Sequence, residues 1–169
     1  MFEETLSFDD VLLVPQKSDI KSRREVDLSS NIGNLSFKLP IISSPMDTVT
    51  GATMTKVMHN AGGFGILHRY NSIEEQVSML NKVPSKTAGA AIGVTGDFLE
   101  RAEALVEAGA FLLCIDVAHG HHISVKNALI KLKNNFDKNI VIMAGNVATA
   151  AAFSDLEDWG ADIIRVGVG

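Results

Sequence analysis

The sequence predicts an α/β fold of the (β/α)8 type, a TIM barrel, present here as an incomplete barrel with about six strands and five helices. Two patterns favour this fold. Short apolar runs alternate with helical stretches in strict order from residue 39 to residue 169, as they do in folds built from βα units. Most of the runs end in polar side chains, which in a barrel converge on one face.

Residues 1–38 are predicted to form an irregular N-terminal segment, and residues 39–169 the alternating β/α units of one domain. In the N-terminal segment Pro15 ends the apolar run of "FDDVLLVPQKSDI", and "SRREVDLSSNI" has room for one short strand. No low-complexity tract marks a linker between the two parts. The chain is therefore interpreted as the N-terminal portion of a single barrel domain.

Six apolar runs are the predicted strands. They lack the alternation of polar and apolar residues that marks a strand with one exposed face, so we expect a parallel sheet covered on both faces. The runs are "LPIISSPM" (39–46), "GFGILHR" (63–69), "AGAAIGV" (88–94), "FLLCIDVA" (111–118), "NIVIMAGNV" (139–147) and "DIIRVGVG" (162–169).

Helical patterns fill the gaps between these runs. Ser72 with Glu75, and Asp97 with Glu100, have the spacing of a capping box. Gly109 is placed to end the second of these helices. "SVKNALIKLKNNF" and "TAAAFSDLEDWG" are the next two helices. A faint repeat supports the alternation, because "NAGGFGIL", "EAGAFLLCI" and "WGADIIRV" each end a helix on glycine and begin a strand.

An open, doubly wound sheet is the alternative architecture for strict βα order. The dinucleotide-binding fingerprint that marks its first turn is absent, because the G-x-G of "GFGILH" lies inside a predicted strand. In an open sheet the polar strand ends would also spread along one edge. Their convergence is simpler to explain with a barrel.

Composition excludes several classes of function. The net charge of -5 argues against a nucleic-acid partner. Cys114 is the one cysteine, which fits a reducing compartment. The acidic N-terminus does not resemble a signal peptide, and no run approaches the roughly 18 apolar residues of a membrane helix. We expect a cytoplasmic protein with no membrane partner.

The candidate site consists of polar residues and glycines at the ends of the predicted strands. Some of these residue types are typical of ligand binding. The glycines in "GNVAT" and "GVG" would allow the backbone to approach a ligand closely. In strand order they are Ser43, Ser44, Met46 and Asp47; His68 and Arg69; Gly93 and Thr95; Asp116, His119 and His121; Gly145, Asn146 and Thr149; and Arg165, Gly167 and Gly169.

Several candidates also have a purely structural interpretation. Asp47 could cap the helix that follows it, and Asn146 and Thr149 could cap the helix after the fifth strand. Asp116 follows the apolar run "FLLCI", where a carboxylate needs a partner or solvent, and we interpret it as functional. Arg165 interrupts an apolar run in the same way. It suits either a phosphate or carboxylate ligand or a salt bridge to a neighbouring loop.

The motif "HGHH" (119–122) suggests a metal site at first sight. Its histidines lack the spacing of helical zinc ligands, and apart from Asp116 no cysteine or carboxylate cluster is near, so no zinc is expected. Cys114 lies within an apolar run and is predicted to be buried and inert rather than nucleophilic.

The ordered blocks of the chain resemble the IMP dehydrogenase / GMP reductase family. They are "LSFDDVLLVPQKS", "PIISSPMDTVT", "GGFGILHR", "EEQ", "GAAIGV", "IDVAHGHH", "AGNVAT" and "GADIIRVGVG", and they cover essentially the whole sequence. The resemblance implies a (β/α)8 enzyme of guanine nucleotide biosynthesis that oxidises IMP to XMP with NAD. In that reaction a cysteine attacks C2 of the purine, hydride passes to the nicotinamide, and water hydrolyses the covalent intermediate.

The resemblance also implies roles for individual residues. IMP would contact Ser44, Met46 and Asn146. NAD would contact Asp116, Val117, Ala118, Gly167 and Gly169. Arg165 and Asn146 would support catalysis, and the Gly169 carbonyl would belong to a potassium site.

No residue of this chain is expected to be the catalytic nucleophile. In the family the motif "VGVG" leads into the loop with the catalytic cysteine, which would come just after Gly169. We therefore expect an inactive N-terminal part with open sheet edges, completed by a C-terminal segment or chain and assembling as a homotetramer. An incomplete gene and a split enzyme, its halves associating or joined by protein splicing at an intein, are the two explanations.

The direction of the reaction is the remaining question. Typical dehydrogenases carry a pair of CBS modules after "EEQ", whereas "EEQVSMLNKVPSKTAGAAIGV" has no insertion. This favours GMP reductase, which converts GMP to IMP with NADPH. "SSPMDTVT", "GILHR" and "AHGH" resemble the dehydrogenase, which we favour. A non-catalytic nucleotide-binding or regulatory paralogue and an unrelated (β/α)8 enzyme are further alternatives.

Overall fold

A computed structural model describes residues 6–32, 35–136 and 140–167 of the chain. A 3₁₀ turn (Arg23–Glu25) and a hairpin precede the alternating units. The strands are β1 (Ser30–Ile32), β2 (Leu35–Phe37), β3 (Ile42–Ser43), β4 (Phe64–Leu67), β5 (Ala88–Ile92), β6 (Leu112–Asp116), β7 (Val141–Val147) and β8 (Ile163–Val166). The helices are α1 (Ala52–Asn60), α2 (Ile73–Asn81), α3 (Phe98–Glu107), α4 (Ile123–Asn135) and α5 (Ala150–Asp158).

Strands β3 to β8 form one parallel sheet in chain order, and β1 and β2 form a separate antiparallel pair. Each pair of neighbours in the parallel sheet is joined by one helix, as βα order requires. Among the described residues, β3 and β8 each pair on one side only. The incomplete barrel of six strands and five helices is therefore confirmed.

Two predictions near the N-terminus need correction. The first predicted strand, 39–46, shrinks to the two residues of β3 because Pro40 and Pro45 flank it and lack the backbone N–H that a ladder needs. The segment 1–38 is not wholly irregular, since it contains β1 and β2. The short strand expected in "SRREVDLSSNI" is β1, but its partner β2 has only three residues, too few to show a periodic pattern.

The sheet has a core on each face. The larger core lies between the sheet and its helices and contains fully buried side chains such as Leu67, Ile92, Leu113, Leu129 and Leu156. The smaller core lies on the opposite face, the interior of the barrel, and contains Phe37, Phe64, Ile66, Ala91, Leu112, Cys114, Val141 and Met143.

The hairpin of β1 and β2 covers the amino-terminal end of this inner face. Phe37 lies 6.4 Å from Phe64, the first residue of β4, between ring centroids. Phe64 in turn meets the ring of Phe111 edge to face at 5.5 Å, just before β6. The described residues of the hairpin do not cover the opposite end of the sheet, where the strands have their carboxyl ends and where the candidate site lies.

The predicted repeat of glycine-terminated helices is confirmed. Gly62, Gly109 and Gly160 have φ values of +84°, +95° and +101°. Each donates its N–H three residues back, and the next residue donates five residues back, as in Ala110 N to Leu105 O at 2.9 Å. This is the Schellman motif, whose left-handed position favours glycine. The same C-terminal motif thus delivers the chain into β4, β6 and β8.

At the helix starts, one of the two predicted capping boxes is present. Ser72 accepts from Glu75 N, and the Glu75 side chain accepts from Ser72 N. The second box is wrong, because the Asp97 side chain makes no cap hydrogen bond. Its carboxylate instead accepts two hydrogen bonds from Arg101. Within the described residues, no helix combines the length and the apolar character needed to cross a membrane.

Candidate active site

A cleft of about 640 Å³ opens at the carboxyl ends of the parallel strands. This is the face on which (β/α)8 enzymes place their catalytic residues. The ends of β3, β4, β6, β7 and β8 all contribute to it. Its lining consists of Met46, Arg69, Tyr70, Asp116, Val117, Ala118, Asn146 and Gly167.

The structure brings most of the predicted site residues to this cleft. Met46, Asp116, Val117, Ala118, Asn146 and Gly167 line it. Ser44 lies two residues before Met46, and its carbonyl accepts from Thr50 Oγ1 at 2.5 Å. Arg165 stands behind Asp116 rather than in the lining. Gly169, predicted to approach NAD and potassium, lies outside the described residues. The roles of these residues toward nucleotides remain predictions.

Asp116 and Arg165 form an ion pair at the base of the cleft. Arg165 Nη1 donates to Asp116 Oδ1 at 2.7 Å, and the two side chains are 23% and 18% exposed. Burial alone would lower the pKa of Arg165, but the neighbouring Cys114 and the Asp116 carboxylate raise it. At neutral pH, where the thiol is protonated, Asp116 supplies the opposite charge. Arg165 therefore does form a salt bridge, and its partner is Asp116, which is itself a predicted site residue.

Cys114 lies one layer deeper in the inner core. It is fully buried, as predicted, and its Sγ is 3.6 Å from Arg165 Nη1. Burial raises the pKa of the Cys114 thiol from an ordinary value near 9 to about 12. The Asp116 charge acts in the same direction, and Arg165 opposes it. A thiol that stays protonated at neutral pH is a poor nucleophile.

An irregularity between β7 and β8 presents Asn146 to the cleft. The register shifts between Gly145 and Val147, and such bulges re-aim side chains. Asn146 Nδ2 donates to Gly167 O at 2.8 Å, so this side chain links β7 to the residue that follows β8 and does not cap α5. A Cβ on Gly145 would lie 2.6 Å from Arg165 O. Gly145 therefore allows close packing between the strands, and its approach to a ligand remains a prediction.

Two further capping predictions have opposite outcomes. Thr149 does cap α5, because its Oγ1 accepts from Ala152 N at 3.1 Å. Asp47 does not cap α1, which begins after Gly51 without a side-chain cap. The chain first turns through residues 46–50, and Asp47 Oδ1 accepts from the adjacent Thr48 N.

The three histidines of "HGHH" contact neighbouring side chains or backbone of the chain itself. His122 accepts from Ser124 N and caps α4. His121 Nε2 lies 2.7 Å from Asp155 Oδ2 on α5, and the His119 ring meets that of His122 at 6.3 Å. In the described part of the chain, no group of three or more histidine, cysteine or carboxylate side chains is placed to hold a metal ion.

Arg69, a candidate from its position at a predicted strand end, and Tyr70, which was not a candidate, also line the cleft. Arg69 Nη2 donates to the Asp116 carbonyl at 3.2 Å, and its guanidinium carbon lies 5.2 Å from the Tyr70 ring centroid. Its Nε is buried and has no partner among the described residues. The position of Arg69 at a predicted strand end marked it as a candidate, but no local pattern points to its contact with a carbonyl 47 residues away.

A parallel sheet of six strands, with an ion pair, an amide and an arginine gathered at its strand ends, defines the chain as part of a (β/α)8 barrel. The family model described as the IMP dehydrogenase / GMP reductase domain matches residues 5–169. The chain belongs to this family, which includes oxidoreductases of both names.

The relatives of this chain include proteins of each name. The chain is 36% identical over 168 residues to the GMP reductase of Paracidovorax citrulli, covering 98% of this chain and 51% of that protein. It is 34% identical over 210 residues to the inosine-5'-monophosphate dehydrogenase of Cryptosporidium parvum, with 97% and 51% covered. The chain thus spans about half the length of the curated relatives it matches.

A solved structure agrees with this assignment. The crystal structure of inosine 5' monophosphate dehydrogenase from Legionella pneumophila superposes with a TM-score of 0.89 at 43% identity. The match covers 98% of this chain and 51% of that one.

Proposed function

We propose that this chain supplies the N-terminal half of an IMP dehydrogenase, which oxidises IMP to XMP with NAD in guanine nucleotide biosynthesis. The observation that carries the proposal is the cleft at the strand ends, where the motif residues Met46, Asp116 and Asn146 meet. The identity of 43% to the Legionella pneumophila dehydrogenase supports this direction of the reaction.

In this proposal the cleft holds both ligands. IMP lies against Ser44, Met46 and Asn146. Residues 116–118 and Gly167 would hold NAD, which would supply the nicotinamide ring as the hydride acceptor. The residues present suit these groups. The Asp116 carboxylate can accept from ribose hydroxyls, and Asn146 Oδ1, which takes no hydrogen bond from the described residues, can accept from an amide or purine N–H.

Asp116, Arg165 and Asn146 would act by positioning and charge. Arg165 pairs with the Asp116 carboxylate and fixes its position in the base of the cleft. Asn146 links the end of β7 to Gly167, the residue from which the chain would continue toward the expected cysteine. Both contacts prearrange groups before a ligand arrives, which is how such sites gain rate.

The catalytic nucleophile belongs, in this proposal, to a C-terminal segment or separate chain that also supplies the remaining strands. The support is the one-sided pairing of β3 and β8 within the described residues and the coverage of about half of each relative. We call the two halves together the completed protein. It would form a homotetramer and require potassium, and this chain alone would be inactive.

GMP reductase is the second candidate function. Two observations favour it: the curated relatives include GMP reductases at 36% and 35% identity, and no insertion follows "EEQ". In that case the same cleft would hold GMP and NADPH.

The test is turnover by the completed protein with each pair of substrates. We expect IMP and NAD to give XMP and NADH, with higher activity in potassium than in sodium salts, and no turnover by this chain alone. Oxidation of NADPH with GMP, in the absence of NAD reduction with IMP, would replace the dehydrogenase by the reductase. Ligand binding without turnover of either pair would favour a non-catalytic protein.

A further inference from the structure

A buried arginine outside the cleft links two helices to the loop that carries Arg69 and Tyr70. Arg101 lies on α3 and is 7% exposed. Its guanidinium reaches across to residues 71–72, the loop between β4 and α2. Burying such a group is costly unless its hydrogen bonds are satisfied, so its partners carry information about its role.

All five N–H groups of Arg101 have a partner. Nε and Nη2 donate to Asp97 Oδ2 at 3.2 and 2.8 Å. Nη1 donates to Gln76 Oε1 at 2.8 Å and meets the Ser72 carbonyl at 3.5 Å. The remaining N–H of Nη2 donates to the Asn71 carbonyl at 3.0 Å. A planar fork with five donors suits this set, and a lysine ammonium does not.

Gln76 extends the network into the sheet. It is fully buried on α2, and its Nε2 donates to the Ala91 carbonyl of β5 at 2.8 Å. The loop is therefore held from one side by Arg101 and indirectly by the sheet. Its other end carries Arg69, which donates to the Asp116 carbonyl, and Tyr70, which lines the cleft.

We propose that Arg101 is a positioning residue for the site: it fixes residues 69–72 so that Arg69 and Tyr70 meet the ligand in the cleft. Arg101 itself does not reach the cleft lining. This inference rests on the proposed function only for the identity of the ligand, the nicotinamide dinucleotide. The effect on the loop itself follows from the contacts of Arg101 alone.

The experiment compares Arg101→Met, Arg101→Lys and the control Leu105→Val in the completed protein. Leu105 is fully buried on the same helix and belongs to the larger core between the sheet and its helices. Shortening its side chain therefore shows the effect of general destabilisation. For Arg101→Met we expect the KM for the dinucleotide to rise about tenfold, with a smaller change in kcat. Arg101→Lys should recover only part of this loss, and Leu105→Val should leave the KM near its original value.

A double variant tests the route. If Arg101 acts through Arg69, then Arg101→Met should add little to the KM effect of Arg69→Ala. Independent, multiplying effects of the two substitutions would overturn the inference. So would an equal KM shift in Leu105→Val.

Hydrogen exchange gives a readout without turnover. Backbone amides of residues 70–72 should exchange about tenfold faster in Arg101→Met than in the Leu105→Val protein. If Arg101→Met folds poorly, Asp97→Asn is the substitute, because it weakens the ion pair that holds Arg101 and changes a half-exposed side chain. The exchange rate of residues 70–72 should rise in this variant as well. Unchanged loop exchange would overturn the inference. Absence of any enzyme activity would instead count against the proposed function and leave the exchange result to decide on Arg101.

Discussion

At the scale of single residues, the site depends on groups that lie one layer behind the cleft. Asp116 lines the cleft, Arg165 pairs with it, and Cys114 lies beside Arg165 in the inner core. Gly145 lets β7 and β8 approach closely at the same level. Two of these residues can be tested without knowing the ligand.

The Cys114 thiol gives a pH-dependent stability. Its pKa of about 12 in the folded protein lies above an ordinary value near 9, so the folded state binds the proton more tightly. The resulting stability is fully present below pH 9 and is lost as the pH rises toward 12. We expect the difference in free energy of unfolding between wild type and Cys114→Ala to fall by up to about 1.4 kcal/mol per pH unit in that window.

Denaturant titrations of both completed proteins, under reducing conditions at several pH values from about 8 upward, would measure this slope. The alanine variant removes the thiol and keeps the other titrating groups. A difference that does not change with pH would mean that the thiol ionises as readily in the folded protein as in the unfolded one.

Gly145→Ala should disturb the pairing of β7 with β8. The new Cβ would lie 2.6 Å from Arg165 O and 2.7 Å from Arg165 Cβ, both on a paired strand that has little room to move. We expect a loss of about 2–3 kcal/mol in the free energy of unfolding. Gly96→Ala is the control, because Gly96 has φ +62° but no atom within 4 Å of the added Cβ. Its cost should stay near 1 kcal/mol, and equal losses in the two variants would refute the close-contact explanation.

At the scale of elements, helix ends decide where each βα unit begins. Ser72→Ala removes the capping box at the start of α2 and should cost about 1 kcal/mol of unfolding free energy. Ser78→Ala, on the exposed middle of the same helix, should be neutral or slightly stabilising because alanine is the better helix former. Chemical denaturation of both variants makes the comparison, and equal effects would show that the cap contributes nothing.

The sequence predicted the elements better than the contacts between them. Parallel strands, the Schellman glycines and the Ser72 cap leave local patterns, and they were found where expected. Asp97 has the spacing of a helix cap, but its carboxylate accepts a hydrogen bond from Arg101 instead. The Asp116–Arg165 pair joins residues 49 positions apart, so neither residue carries a local sign of the other. Three-residue strands such as β2 are too short for any periodic signal.

At the scale of the whole molecule, the N-terminal segment presents a row of apolar side chains to solvent. Leu12 and Leu13 are 95% and 97% exposed, and Phe8 and Val14 are also largely exposed. Soluble monomers seldom leave such a patch uncovered. This patch and the one-sided pairing of β3 and β8 in the described sheet favour the proposal that the completing half covers this surface.

Replacing Leu12 and Leu13 together by serine should therefore weaken two kinds of association. This chain alone should self-associate less, because less apolar surface is exposed. Its affinity for the completing half should fall by about tenfold or more. Light scattering and a binding titration measure the two effects. Ile123→Ser, which removes another exposed apolar side chain at 62% exposure, is the control, and an equal loss of affinity there would argue against the N-terminal segment as the contact.

We infer that the strand ends of this chain form the nucleotide site of the completed protein. The most direct measurement is a crystal structure of that protein with IMP and a nicotinamide dinucleotide bound. We expect both ligands in the cleft, with Asn146 near the purine and Asp116 within hydrogen-bond distance of the dinucleotide. Nucleotides bound away from these residues, or a cleft closed by protein side chains, would contradict it.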